Sequence, residues 1–401
     1  MKIRKLTVII LGLIPAISSI PNSSIKSLLA LAEQQTRLML SEVAVADKKP
    51  VGNKPPVVSP RTLDESGALQ LVPARDWTSG FFPGELWYLF EYTGKPDWEK
   101  QARFFTANLE HEKWNAGTHD MGFKIYCSYG NGFRLTKDPA YRDVIIQGAR
   151  SLSKRFKPTA GIIRSWDHHQ EVWQCPVIID NLMNLELLFA ATRLTGDSTF
   201  YKIAVTHAQT TLKNHYRPDH SSYHVVDYDT LTGKVLKKNT HQGFSDESAW
   251  ARGQAWGLYG YTVCYRETKN PVFLQQAEAI AAFMLNHPRM PQDLVPYYDF
   301  DAPAIPNELR DVSAAAVMAS ALYELSTYGP ANAQYRVKAD QVIASLSKNY
   351  ASPVGKNHGF LLLHSTGAKT FERDVPLIYA DYYYLEALLR AKKLNDKKPL
   401  F

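Results

Sequence analysis

Apolar positions along the body of the chain recur with the helical period, in two alternating kinds of segment. In the first kind a turn signal opens an amphipathic stretch. Thr93-Gly94-Lys95-Pro96-Asp97-Trp98 precedes EKQARFFTANL, and Thr195-Gly196-Asp197-Ser198-Thr199-Phe200-Tyr201 precedes KIAVTHAQTTL. Similar openings end on Tyr141, Phe273 and Tyr335. Glycine ends one helix, Asp, Asn or Pro starts the next, and the aromatic residue staples the new helix to its neighbour. Apolar residues then follow at i, i+3, i+4 and i+7, as in Ala277, Ile280, Ala281 and Met284, or Ala339, Val342, Ile343 and Leu346.

The second kind is apolar almost all round, as in VIIDNLMNLELLFAATRL (177–194) and SAAAVMASALYEL (313–325). Such helices are buried. Polar-faced outer helices alternating with buried inner ones predict a helical solenoid. Closed on itself, it is an all-α, single-domain α6/α6 barrel of about six hairpins over residues 61–401. Strand signals are sparse, with Ser222–Tyr228 one candidate. Ahead of the barrel, residues 21–60 read as an amphipathic helix at 25–42 and a Pro/Lys linker at 43–60.

Residues 1–20 form a different pattern. Lys2, Arg4 and Lys5 precede the apolar run from Leu6 to Ile17, and Ala16-Ile17-Ser18 has small-x-small character. This reads as a secretory signal rather than a membrane span, and it predicts a periplasmic or secreted protein. No cysteine stands near the cleavage signal, so no lipid anchor is expected. Elsewhere no run reaches the roughly 20 apolar residues a span needs.

Composition changes this picture little. The chain has 401 residues, 45% of them hydrophobic, which excludes disorder as the main state. A net charge of +7 invites a nucleic-acid reading. Residues 1–54, however, carry eight Lys/Arg against three acids, which leaves the rest of the chain near neutrality. A near-neutral body has no broad footprint for phosphates, so no nucleic acid is expected. Cys127, Cys175 and Cys264 are far apart and odd in number, with no disulfide framework or zinc spacing. Metal motifs, phosphate loops and a GxSxG nucleophile elbow are all missing from the sequence, so neither metal nor cofactor is expected.

Inner helices of a closed array start at one rim, where loops converge on the mouth. Polar and aromatic residues collect at these starts. Asp180 interrupts a strongly apolar run, and a carboxylate there must be paired, solvated or neutralised. Asp180 and Asp120 have two readings each: a cap on orphan helix amides, or one half of a carboxylate pair. Two carboxylates at one mouth would raise one proton affinity and make a general acid for neutral pH. Ser248, Arg252 and Trp256 share a helix face, where Arg would clamp a carboxylate and Trp would face a sugar ring. The opposing reading is a packed core. His119, His224 and His241 are candidate polar ligands, each of which is more often structural when considered alone.

Asp76-Trp77-Thr78-Ser79-Gly80-Phe81-Phe82-Pro83-Gly84, His119-Asp120-Met121-Gly122-Phe123, Ile179-Asp180-Asn181-Leu182-Met183-Asn184, Trp250-Ala251-Arg252-Gly253-Gln254-Ala255-Trp256-Gly257 and Tyr379-Ala380-Asp381-Tyr382-Tyr383 stand in that order. Together they resemble the unsaturated glucuronyl hydrolases, glycoside hydrolase family 88, over residues 60–395. The resemblance implies an α6/α6 barrel that removes the 4,5-unsaturated uronic acid left by polysaccharide lyases. It implies hydration of the enol-ether double bond rather than direct attack on the glycosidic carbon. Asp180 would be the general acid and base, and Asp120 its tuning partner. Gln242 and His224 would lie near water and substrate, and Arg252 would hold the uronate or neighbouring groups. Trp77, Trp250 and Trp256 would wall in the sugar, and His119 would line the pocket.

The resemblance also implies an oligosaccharide substrate, without metal or cofactor. A closed barrel of this size buries its own core, so a monomer is expected. Sulfate selectivity would depend on the 364–369 loop, with Lys369, Lys237 and Lys238 as candidates. Alternatives are an unsaturated rhamnogalacturonyl hydrolase on pectin fragments, a sugar epimerase needing paired histidines, and a non-catalytic sugar-binding solenoid. The last would not need Asp180.

Overall fold

A computed structural model describes residues 19–46 and 57–401. The expected signal segment falls almost wholly outside the described residues, as does the linker core at 47–56.

Twelve α-helices are described: α1 (Asn22–Ala46), α2 (Phe81–Thr93), α3 (Pro96–Ala107), α4 (Asn131–Thr136), α5 (Pro139–Ser153), α6 (Asn181–Thr195), α7 (Ser198–His215), α8 (Ala251–Thr268), α9 (Pro271–Asn286), α10 (Val312–Leu325), α11 (Ala333–Ser345) and α12 (Ile378–Asn395). A π-helical stretch, Gly122–Gly130, runs directly into α4. The predicted outer helices are α3, α5, α7, α9 and α11. Asp138, Asp197 and Asn270 cap three of them by accepting N–H bonds from Ala140, Thr199 and Val272.

The inner ring closes as expected. Helix α2 packs on the π-helix, the π-helix on α6, α6 on α8, α8 on α10, α10 on α12, and α12 back on α2. Each outer helix covers an inner neighbour. The sixth outer place, against α12, is taken by α1. Ile25, Leu29, Ala32, Met39 and Val43 of α1 lie in the same apolar core as the barrel helices. The helix therefore begins earlier and ends later than expected, at Asn22 and Ala46, and it packs as part of the barrel. The reason is topological. Five outer helices follow their inner partners in sequence, and the exposed flank of α12 is left for the N-terminal helix to cover.

The strands are short and lie in the loops. They are β1 (Val57–Leu63), β2 (Leu69–Pro73), β3 (Phe156–Lys157), β4 (Ile162–Ile163), β5 (Pro176–Ile178), β6 (Val225–Tyr228), β7 (Val235–Asn239), β8 (Ser365–Thr366) and β9 (Arg373–Val375). All pair antiparallel, as β1-β2, β3-β4, β5-β6-β7 and β8-β9. The candidate strand at 222–228 narrows to β6. At two to seven residues these strands are too short for a period-2 signal to register.

Candidate active site

The β5-β6 ladder sets the position of the central carboxylate. Ile178 pairs with Val225, and Ile179 N–H donates to His224 O at 3.0 Å, so Asp180 emerges beside His224. Asp180 stands at the N-cap of α6 but makes no side-chain capping bond. This decides against the helix-cap reading. Its Oδ2 is buried with no hydrogen-bond partner. Burial pushes the carboxyl up to about 6, against the pull of His119 and Arg252, and the Asp120 charge adds to the rise.

His224 faces it. Its Nδ1 accepts the backbone N–H of His241 at 3.0 Å and of Gln242 at 3.2 Å. The proton of the neutral ring is therefore on Nε2. Burial, with the neighbouring His241 and Arg252 charges, holds this ring well below its ordinary pKa. Nε2 is buried, unpartnered, and 3.8 Å from Asp180 Oδ2. One oxygen atom at about 2.8 Å from each would satisfy both orphaned groups.

Asp120 is built for the opposite charge state. Its Oδ2 accepts the Thr118 hydroxyl at 2.6 Å, and His119 Nε2 lies 3.1 Å from Oδ1. Burial works against the anion, but His119 and Thr118 together hold the carboxyl below its usual range. One mouth thus carries one aspartate set to keep its proton and one set to lose it. A raised pKa alone would not single out Asp180. Buried Asp299 also reaches about 6. Its oxygens, however, accept from Phe244 N, Ser248 Oγ and Asp301 N, so it has a structural task.

Arg252 departs from expectation. The guanidinium is buried, with one terminal nitrogen donating to Asp311 Oδ2 at 2.6 Å, Ser313 Oγ at 3.3 Å and Thr366 O at 2.7 Å. The other donates to Gly367 O. Only Nε is unpartnered. The residue ties α8 to α10 and to the 365–367 segment instead of standing as a free carboxylate clamp. Gln242 joins the same tether, its Nε2 donating to Gly367 O at 3.0 Å.

The aromatic residues separate into two layers. Trp256 is wholly buried, with ring centroids 5.3 Å from Phe123 and 5.5 Å from Tyr383, so it forms a floor. Trp250 is also buried, 4.6 Å from the His224 ring. Trp77 keeps partial exposure and lies 4.9 Å from Tyr379. The indole nitrogens of Trp250 and Trp256 have no partner. Of the candidate sulfate cations, Lys369 donates to Phe244 O at 3.2 Å, Lys237 to Val172 O, and Lys238 sits 4.7 Å over the Tyr223 ring.

Tyr379 stands in one of the five sequence motifs, without a role of its own there. Its hydroxyl is buried and unpartnered, with Arg252 5.3 Å from the ring. Trp166, stacked on His168 at 5.1 Å and 5.5 Å from His241, extends the aromatic wall. Tyr379 stands at the start of α12, and that position is the signal that marks it, whereas Trp166 lies in the loop ahead of β5. The described residues contain no group of three or more His, Cys, Asp or Glu arranged to hold a metal.

A proton-holding aspartate facing a neutral histidine donor, in the mouth of a closed helical barrel, is the equipment of an acid–base enzyme. Residues 59–391 match the family model Glycosyl Hydrolase Family 88. An unsaturated glucuronyl hydrolase of Formosa agariphila is 51% identical over 327 residues, covering 80% of this chain and 82% of the relative. An unsaturated chondroitin disaccharide hydrolase of Streptococcus pyogenes is 33% identical, covering 84% and 85%. A crystal structure of an unsaturated glucuronyl hydrolase specific for heparin superposes with a TM-score of 0.87 at 46% identity, covering 94% of this chain and 99% of that one. The chain belongs to glycosyl hydrolase family 88, and it is a glycoside hydrolase with an α/α-barrel fold.

Proposed function

We propose that this enzyme removes the 4,5-unsaturated uronic acid from the non-reducing end of lyase-generated glycosaminoglycan fragments by hydrating the C4=C5 bond. The observation that carries the reading is the pair of orphaned atoms, Asp180 Oδ2 and His224 Nε2, on a carboxyl whose pKa is about 6. An enol ether needs a proton donor more than it needs a strong nucleophile. Asp180 gives its proton to C4, and positive charge develops at C5 and the ring oxygen. The Asp120 carboxylate stabilises that charge electrostatically.

Asp180, now ionised, takes a proton from the water that attacks C5, while the Nε2–H of His224 orients the water oxygen. The C5 hemiketal opens to a ketone. The freed C1 hemiacetal then collapses to an aldehyde and releases the next sugar with a free hydroxyl. One water is consumed and Asp180 ends protonated. Arg252 and Gln242 hold the 365–367 wall, and Trp77, Trp250 and Trp256 shape the sugar pocket. Names of similar proteins that specify glucuronyl, chondroitin disaccharide or heparin substrates support the glycosaminoglycan class.

The test is loss of the ultraviolet absorbance of the conjugated alkene. Unsaturated disaccharides made by lyases from heparin, chondroitin, hyaluronan and pectin are each incubated with enzyme. Loss on a glycosaminoglycan fragment supports the reading and ranks the substrates. Loss on the pectin fragment alone would move the assignment to rhamnogalacturonyl chemistry.

We further propose export to the periplasm or beyond, based on Lys2, Arg4, Lys5 and the apolar run to Ile17. The mass of the mature N-terminus in a secreting host tests this. The protein acts as a monomer, and sedimentation would test its state.

A further inference from the structure

The heads of the two aspartate-bearing helices meet at Asn184. It lies one turn into α6, four residues after Asp180, and is fully buried. Its Nδ2 reaches back to Asp180 O at 3.4 Å, and its Oδ1 accepts the backbone N–H of Phe123 at 3.0 Å. The approach is close because residue 122 is glycine. A Cβ on Gly122 would fall 2.6 Å from Asn184 Cα and 2.8 Å from its Oδ1.

The choice of Phe123 matters. Met121 is already helical ahead of the π-helical stretch, and Asp120 O accepts the N–H of Lys124 at 3.0 Å, so Asp120 stands at the capping position of this continuous helix. An aspartate there normally turns its own carboxylate onto the N–H two or three positions on. The third position is Phe123. Asn184 occupies that donor, and the Asp120 carboxylate is turned instead to Thr118 and His119.

We propose that Asn184 is a positioning residue that caps the Asp120 helix in place of Asp120 itself, keeping that carboxylate in the site and fixing its relation to Asp180. The proposal rests on the hydration chemistry above for its kinetic consequence but not for its geometry. Without Asn184 the Phe123 N–H is an unsatisfied donor within reach of Asp120, which then withdraws to cap its own helix.

The experiment compares wild type, Asn184→Ala, Asn184→Asp and Gly122→Ala on the unsaturated disaccharide that wild type turns over best. The readouts are kcat, KM, the pH profile and the thermal midpoint. A misplacement of this kind is expected to lower kcat about a hundredfold in Asn184→Ala, with KM changed much less. The alkaline limb of the profile should move to lower pH, because Asp180 loses the nearby negative charge that helps it keep its proton. Asn184→Asp keeps the acceptor for Phe123 N–H, so it should recover most of kcat without that downward shift. Gly122→Ala should reproduce the shift with every polar group still present.

A variant that loses rate only in proportion to its folded fraction, with an unmoved pH profile, overturns the proposal. So does an Asn184→Asp no better than Asn184→Ala. A crystal structure of Asn184→Ala reads the geometry without activity. Asp120 bonded to Phe123 N supports the proposal, and an unmoved Asp120 sinks it. If wild type turns over no fragment, the functional reading fails while this structural test still stands.

Discussion

His224 Nε2 lies 3.8 Å from Asp180 Oδ2, and both atoms are buried without a hydrogen-bond partner. The relationship is directional. Two backbone N–H groups occupy His224 Nδ1, so this ring can only donate toward Asp180. A carboxyl that gives up its proton and then receives one from water is served by such a donor, which aligns the water without competing for its proton.

Asp180→Asn keeps the shape of the site and removes the transferable proton. General acid–base groups contribute about a hundred- to ten-thousandfold. Here one group acts in both steps, so kcat should fall by about a thousandfold or more, with disaccharide affinity retained. Turnover by absorbance loss and binding by calorimetry check this together. Unchanged turnover would show that Asp180 is not the group that transfers the proton.

The pH profile should follow the two environments. With Asp180 near 6 in the free enzyme, kcat/KM should decline above that pH with a slope approaching one decade per unit, because only the protonated form can start the reaction. Asp120→Asn removes a negative charge whose presence raises the Asp180 pKa. The decline should then begin at lower pH, on top of a lower plateau. A profile that Asp120→Asn leaves unmoved would show that the two groups are not coupled.

The barrel and Asp180 were legible in the sequence for one reason: each is a break in a local pattern. All-round apolar segments alternate with amphipathic ones, and a carboxylate in the middle of VIIDNLMNL has no bland place to go. What was not legible depends on distant partners. Nothing near Arg252 announces that Asp311 and the 366–367 carbonyls will take its terminal nitrogens. Trp256 reads as a sugar platform until Phe123 and Tyr383 close over it. Asn184 reads as an ordinary polar residue until the π-helix brings Phe123 N–H to it. Likewise α1 has no local sign that α12, far along the chain, needs a cover.

Arg252 should matter as a tether. Arg252→Met takes the guanidinium away from the buried Asp311 carboxylate, and breaking a buried pair by removing one partner typically costs about 3–5 kcal/mol. Combining it with Asp311→Asn removes the stranded charge and should restore a good part of that loss. Turnover should stay low in both, because Thr366 O and Gly367 O lose the guanidinium that ties this wall to α8, and only Gln242 is left on Gly367 O. Urea melts read the stability, and the absorbance assay reads the activity. Single and double variants of equal stability would show that the ion pair is not what holds the segment.

Asp180 should also trade stability for chemistry, with a sign that changes with pH. Its folded pKa is about 6, against about 3.9 for an unfolded aspartate. Below the unfolded value both states are protonated and the group is neutral in its effect. As pH rises from about 4 to 6 the unfolded chain loses its proton first, so the folded state is progressively disfavoured. Above about 6 the penalty is complete, at about 3 kcal/mol for a shift of about two units. Asp180→Asn cannot ionise and escapes it. The variant should therefore be more stable than wild type at pH 7 to 8, and the advantage should vanish near pH 4. Thermal or urea unfolding of both proteins across that range measures the difference. An advantage that does not depend on pH would mean that Asp180 ionises freely in the folded state, and its role as the proton donor would fall with it.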